Sequence, residues 1–166
     1  MRELTVGCND AGQRLDKFLS KTLYGMPPAL MYRLIRQKKI KVNRRRAGNG
    51  QILCEGDMLQ LFIPEEFFCG GEKRGEAETL SRVHPGLDIV YEDENILLLN
   101  KRPGMLVHDD AAGQNDTLLL HAKAYLYQSG AYDPAAEQSF APALCNRIDR
   151  NTGGIVILAK NAGALR

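Results

Sequence analysis

An α+β fold in two modules is predicted by three observations. Near the N-terminus Leu15, Phe18, Leu19 and Leu23 recur at the spacing of one helical face. Further on, Ile89-Val90-Tyr91 and Ile96-Leu97-Leu98-Leu99 are apolar runs parted by Glu92-Asp93-Glu94-Asn95, the pattern of a hairpin. Charge is also segregated: the first third of the chain carries a dense basic cluster, and an acidic stretch follows it. At 166 residues the chain holds one ordinary domain, or a small domain plus part of another. The boundaries that fit these patterns are a module at 1–64, a linker at 65–86 and a second module at 87–166.

Composition narrows the class. A hydrophobic fraction of 44% with 25% charged residues is ordinary for a water-soluble globular chain. No apolar run approaches the length of a membrane span, so no membrane partner is expected. Met1-Arg2-Glu3-Leu4-Thr5-Val6 has no signal-peptide apolar core, and a cytoplasmic location is expected. Cys8, Cys54, Cys69 and Cys145 form no CxxC pair, and His84, His108 and His121 are scattered. The expectation is reduced thiols, with neither a disulfide framework nor a metal site.

In the first module, Arg14, Asp16, Lys17 and Lys21 are expected to face outward from the helix that buries Leu15, Phe18, Leu19 and Leu23. Asp10 is placed to cap its start. Pro27-Pro28 suits the entrance of a second helix, where a missing amide hydrogen costs nothing. There Leu30, Leu34 and Ile35 should point inward. A short strand, Ile40-Lys41-Val42, and a basic turn, Arg44-Arg45-Arg46, come next. Gly56-Asp57 then turns the chain into Met58-Leu59-Gln60-Leu61-Phe62-Ile63, which Pro64 ends. Between Leu30 and Gly50 lie Arg33, Arg36, Lys38, Lys39, Lys41, Arg44, Arg45 and Arg46, with no acidic residue among them. A cluster of one sign is either a solvated helix face or a surface for a polyanion.

Arg14-Leu15-Asp16-Lys17-Phe18-Leu19, Ile35 through Ile40-Lys41-Val42-Asn43, and Glu55-Gly56-Asp57-Met58-Leu59 together resemble the S4-type RNA-binding domain. Family members usually have glycine after the asparagine and often before the strand, where this chain has Arg44 and Lys39. The resemblance implies RNA as the partner, gripped through its phosphates by the eight cations named above.

Residues 65–86 show no sustained periodicity and contain Gly70-Gly71, Gly75 and Pro85, so they read as a mobile linker. Phe67-Phe68-Cys69 is a small apolar anchor within it. The second module opens with the hairpin. Asn100-Lys101-Arg102-Pro103-Gly104 is a turn, Met105-Leu106-Val107 a further strand, and His108-Asp109-Asp110 a polar loop. Asp116-Thr117 caps a helix through Tyr125-Leu126 that should bury Leu118, Ala122 and Tyr125. A loop over 130–142 then reaches Cys145-Asn146-Arg147-Ile148-Asp149-Arg150-Asn151-Thr152-Gly153-Gly154 and the apolar strand Ile155–Ala159. On local chemistry alone, Arg147-Ile148-Asp149-Arg150 is either an ion pair closing a turn or a carboxylate kept ionised between guanidiniums.

Val90-Tyr91-Glu92-Asp93-Glu94-Asn95 through Lys101-Arg102-Pro103-Gly104 resembles the opening element of RluA-type pseudouridine synthases. Val107-His108 is similar to their next element, and Asn146 through Gly154 to their catalytic loop. Asn146 stands where many members have histidine, Asn151 where aspartate is frequent, and Gly153 where serine is usual. The resemblance implies a mainly antiparallel mixed sheet and isomerisation of uridine to pseudouridine in structured RNA. It implies ribosomal RNA first and transfer RNA second, with no cofactor, no metal and no obligate protein partner. Asp149 is then the essential carboxylate, which either attacks the sugar or removes a sugar proton. Arg147 matches the position that fills the gap left by the flipped base. Arg150, Thr152 and His108 are further candidates for substrate contact, and Lys101 and Arg102 are either RNA contacts or a solvated turn.

Members of that family continue for roughly one more domain beyond this point, with an active-site tyrosine and a basic partner for the aspartate. The expectation is therefore an incomplete second module, with the strand at Ile155–Ala159 lacking sheet neighbours and exposing an apolar face and edge. The alternative function is a non-catalytic S4-type RNA-binding protein or an inactive truncated synthase fragment.

Overall fold

The computed structural model describes residues 1–68, 71–109 and 116–166, and the side chains of all of these except 71–74. Cys69 and Gly70 of the expected linker, and Asp110 of the expected polar loop, lie outside these residues. The chain divides into two units, Met1–Glu72 and Lys73–Arg166.

In the first unit the helical stripe forms α1, Leu15–Thr22, and Leu15, Phe18 and Leu19 are fully buried. Asp10 does not cap it. Arg14 holds the N-cap position, and its side chain makes no capping bond to a helix amide. Asp16, expected outside, is buried: its carboxylate takes the Arg14 guanidinium at 2.7 Å and the Lys17 amide at 2.9 Å. Burial opposes its ionisation, but the bond and charge of Arg14, with the Lys17 amide and Tyr32 hydroxyl, hold its pKa below the usual value.

The second helix, α2, runs Pro28–Arg36 and buries Met31 and Ile35. Its inward stripe is rotated from the expected one, because Met31 and Ile35 are four apart while Leu30 and Leu34 sit half-buried at the flank. The strands β1 (Arg2–Thr5), β2 (Ile40–Val42), β3 (Arg45–Arg46) and β4 (Met58–Leu61) form an antiparallel sheet in the order β1-β4-β2-β3. Leu59 and Leu61 of β4 and Ile40 and Val42 of β2 meet α1 and α2 in one apolar cluster. The left-handed residue that ends α2 is Lys38, not Lys39, and Asn43 and Arg44 are left-handed as well.

The linker reading is corrected. Glu65–Phe67 is a 3-10 turn, and Gly71–Arg82 is a helix, α3, of 12 residues. Its sequence has no apolar stripe. Among its described side chains Leu80 alone is fully buried, Glu76 pairs with Lys123 at 2.9 Å, and the Leu80 carbonyl accepts from Gln128 Nε2 at 2.9 Å. Neighbouring side chains, rather than periodicity, hold this helix.

In the second unit β5 (Ile89–Glu92), β6 (Ile96–Lys101), β7 (Ala143–Leu144) and β8 (Gly154–Ala159) form an antiparallel sheet in the order β5-β6-β8-β7. The Asp93 carboxylate closes the β5–β6 turn by accepting from the Asn95 and Ile96 amides. Helix α4, Leu118–Gln128, is capped by Thr117, whose hydroxyl accepts from the Leu120 amide. Leu118, Ala122, Ala124 and Leu126 pack with Leu97, Leu99, Val156 and Leu158, while Tyr125 remains half-buried. Met105–Val107 does not make a strand of the sheet. Its one bridge joins Leu106 to Thr117 in parallel, leading directly into α4.

The expectation for the strand at 155–159 was half right. β8 is not an edge, because β6 and β7 pair with it on both sides. Its outer face is open, with Ile155 and Ile157 exposed. The chain then closes a four-residue turn of helix, α5, Ala162–Leu165, capped by Asn161. Among the described residues no helix is long and apolar enough to cross a membrane.

Candidate active-site loop

The loop between β7 and β8 carries Arg147, Asp149, Arg150 and Thr152, and it is tied down at both ends. At its start Asn146 uses both atoms of its side-chain amide on β8, accepting from the Ile157 amide at 2.8 Å and donating to the Ile155 carbonyl at 3.1 Å. The Cys145 amide donates to the Ile157 carbonyl at 2.7 Å. The side chain of Asn146 thus continues the β7–β8 ladder just before the chain leaves it. This is a reason for an amide at the position, since an imidazole does not offer a donor and an acceptor side by side in that geometry.

At its far end the loop rests on Lys101, whose side chain is 1% exposed. Its ammonium donates to the carbonyls of Arg150 at 2.8 Å, Met105 at 2.8 Å and Arg102 at 3.2 Å, using its three protons on three carbonyls. Lys101 is therefore neither a solvated turn residue nor an RNA contact. Burial lowers its pKa, and the charge of Asp149 works against that shift. The same junction is doubled by Arg150 and Gly104: the Gly104 amide donates to the Arg150 carbonyl, and Arg150 Nε donates to the Gly104 carbonyl.

Two glycines complete the turn into β8. A Cβ on Gly153 would meet Pro103 Cδ at 3.2 Å and the Lys101 carbonyl at 3.4 Å, so the missing side chain lets the loop lie against the turn after β6. Gly154, at φ 151, adopts a backbone conformation that other residues rarely take. Within the loop the Thr152 amide donates to the Asp149 carbonyl at 3.1 Å.

The result is an Asp149 held through its backbone while its side chain stays exposed. Arg147 is exposed as well, and among the described residues no ion pair joins Asp149 to Arg147 or Arg150. The carboxylate clamped between guanidiniums is thus corrected: Arg150 turns back onto Gly104, and the cation whose field Asp149 shares is Lys101. Thr152 shapes the turn through its amide. His108 is half-buried on the segment entering α4 and makes no hydrogen bond or ion pair among the described residues. Arg102 is exposed and lines a cleft of about 290 Å3 with Asp88, Asn100 and Met105, so of the adjacent cations one is interior and one is free for a ligand. Lys101 had a readable signal, because Leu97, Leu99 and Lys101 alternate on the inward face of β6. The role of Asn146 had none.

In the first unit Arg33, Arg36, Lys38, Lys39, Arg44, Arg45 and Arg46 are all exposed, and Lys41 is half-buried with its ammonium 5.4 Å from the Phe62 ring centroid. Arg33 and Arg36 lie in the last turn of α2, where cations also suit the helix dipole. Among the described residues no group of His, Cys, Asp and Glu side chains is arranged to hold a metal.

Comparison with known proteins agrees with both units. Residues 13–59 match the S4 domain, and residues 95–166 match the RNA pseudouridylate synthase family. An uncharacterized RNA pseudouridine synthase of Mycoplasma capricolum is 35% identical over 162 residues, covering 97% of this chain and 51% of that protein. The ribosomal large subunit pseudouridine synthases C of Salmonella typhi and Escherichia coli (strain K12) are each 30% identical over 164 residues, covering 98% of this chain and 47% of theirs. The chain spans about half the length of the curated relatives it matches. The first unit thus carries a region similar to the S4 domain at 13–59, and the second a region similar to the RNA pseudouridylate synthase family at 95–166.

Proposed function

We propose that the second unit carries the uridine-isomerising chemistry of an RNA pseudouridine synthase, with Asp149 as its essential carboxylate, while the basic surface of the first unit holds the RNA. The observation that carries this reading is the Asp149 loop, a carboxylate left exposed while its backbone is fixed by Lys101, Gly104 and Asn146. Such fixing lets a side chain meet its substrate without first paying to order the loop.

The reaction balances within the nucleotide. The bond from the sugar C1′ to N1 breaks and one from C1′ to C5 forms, the hydrogen on C5 leaves as a proton, and N1 gains one. Asp149 begins this by attacking the sugar or by removing a sugar proton. The target base must leave its stack first, at a cost of a few kcal/mol in a duplex. Arg147, exposed and planar, suits the vacated place, where it stacks and donates hydrogen bonds. Arg150 keeps its terminal nitrogens for a phosphate, and Thr152 and His108 are the further candidates for substrate contact. Ribosomal RNA is the preferred substrate, because relatives matched over nearly the whole chain are named for the large ribosomal subunit.

Because the C5 proton is lost, RNA carrying tritium at C5 of uridine reports the reaction directly. The expected result is tritium release from ribosomal RNA transcripts and little from transfer RNA. Release from transfer RNA alone would reassign the substrate. A second reading, a non-catalytic RNA-binding protein, is favoured by the S4 match at 13–59 and the exposed cations of that unit. Salt-dependent RNA binding without tritium release from either RNA would establish that reading instead.

A further inference from the structure

The β2–β3 hairpin and its approach contain three unfavourable placements, each involving cations. α2 ends with the Lys39 amide bonded to the Leu34 carbonyl at 3.0 Å and the Lys38 amide bonded to that of Ile35 at 3.1 Å. This closure puts Lys38 at φ 61, a conformation that glycine takes without strain and a lysine does not. Beyond β2, Val42 pairs with Arg45, so Asn43-Arg44 is a two-residue hairpin loop with φ of 49 and 62. Both signs are those of a type I′ turn, whose second position belongs to glycine. Asn43 tolerates its place and is pinned there, donating to Asp57 and accepting from the Met58 amide. Arg44 has no such excuse. Between these two points Lys41 stands directly opposite Arg46, a like-charged cross-strand pair. Among the described residues none of Lys38, Lys41, Arg44 and Arg46 has an acidic partner.

Strain at the exposed Lys38 and Arg44, with repulsion between the half-buried Lys41 and the exposed Arg46 beside them, points outward, to a ligand that rewards the charges. We propose that this hairpin is a pre-strained phosphate clip, in which Lys38 and Arg44, at opposite ends of β2, contact two separate phosphates of the RNA backbone. The four residue steps across β2, from Lys39 to Asn43, span about 13 Å and part Lys38 at one end from Arg44 at the other, which suits a chain of phosphates better than a single anion. The inference rests on the reading of the first unit as an RNA-binding surface and names which of its cations are held against the preference of the fold. Glycine at either position would relax the backbone and remove a contact, so stability and affinity would move in opposite directions.

The test compares the double variants Lys38→Gly/Arg44→Gly and Lys38→Ala/Arg44→Ala with the wild type. Thermal melting and the salt dependence of binding to a ribosomal RNA transcript are measured for each. Both doubles lose the same charge, and only the glycine pair loses the strain. The expected order of Tm is wild type, then the alanine pair, then the glycine pair, with the last two separated by about 2–5 °C. Both doubles are expected to lower the slope of log K against log salt by about 1.4–1.8, corresponding to two phosphate contacts. An unchanged slope in the doubles would overturn the clip while leaving RNA binding by the other cations intact. Equal Tm for the alanine and glycine pairs would overturn the strain. If the wild type shows no salt-dependent RNA binding, the reading beneath the proposal falls with it.

Discussion

Lys101 shows how a single side chain organises the candidate site. An ammonium with 1% exposure is costly unless every proton finds an acceptor, and here three carbonyls accept them. One of those carbonyls belongs to Arg150, next to Asp149, so the same charge that must be satisfied also fixes the loop. Lys101→Met keeps much of the volume but strands the three carbonyls. It should destabilise the second unit by about 2–4 kcal/mol, read by urea denaturation, and speed hydrogen exchange at Gly104 and Thr152. Asn146→Ala removes two exposed bonds and should cost about 1 kcal/mol, measured the same way. These two residues mark where reading the sequence stops. The resemblance selected Asp149 and Arg147 from their order in the loop, and the structure leaves both exposed. The burial of Lys101 was implicit in strand alternation, yet a turn beginning Lys-Arg-Pro-Gly reads as surface. No pattern announces that an asparagine side chain will continue a strand ladder.

At the scale of elements, apolar periodicity was a sound guide where it existed. The stripe of α1, the hairpin of β5 and β6 and the capped α4 follow from it. α3 escaped because Leu80, the one fully buried side chain among those described in it, gives no period to detect and its support comes from Lys123 and Gln128 of α4. β1 escaped because four residues that are mostly exposed show no alternation. Asp16 departs from the pattern because a polar residue beside an apolar stripe reads as solvent-facing, whereas the Arg14 partner lets this one be buried. That pairing carries a pH prediction. The folded-state pKa of Asp16 lies below its ordinary value of 3.8, so its contribution is present above that value and is lost as pH falls through the lower, folded one. Asp16→Asn should lower stability near neutral pH and flatten the acid limb of Tm against pH for the first unit. A limb as steep as that of the wild type would exclude Asp16 as its source. In the second unit, Leu99→Ala, at a fully buried position between β8 and α4, should cost about 2–5 kcal/mol in a denaturant melt.

Across the whole molecule, charge segregation and the order of motifs carried more about function than composition did. A net charge of +2 conceals eight cations within residues 33–46, and the structure keeps all of them at or near the surface of a unit matched as an S4 domain. A second region, matched as RNA pseudouridylate synthase, presents a loop whose backbone is fixed and whose carboxylate is exposed. Under the proposed function these divide the labour between holding RNA and acting on a base. The most direct test of that division is single-turnover tritium release from ribosomal RNA labelled at C5 of uridine, comparing the wild type with Asp149→Asn and measuring RNA binding on the same samples. The account predicts unchanged binding and no release from the variant. Release by Asp149→Asn at the wild-type rate would contradict it.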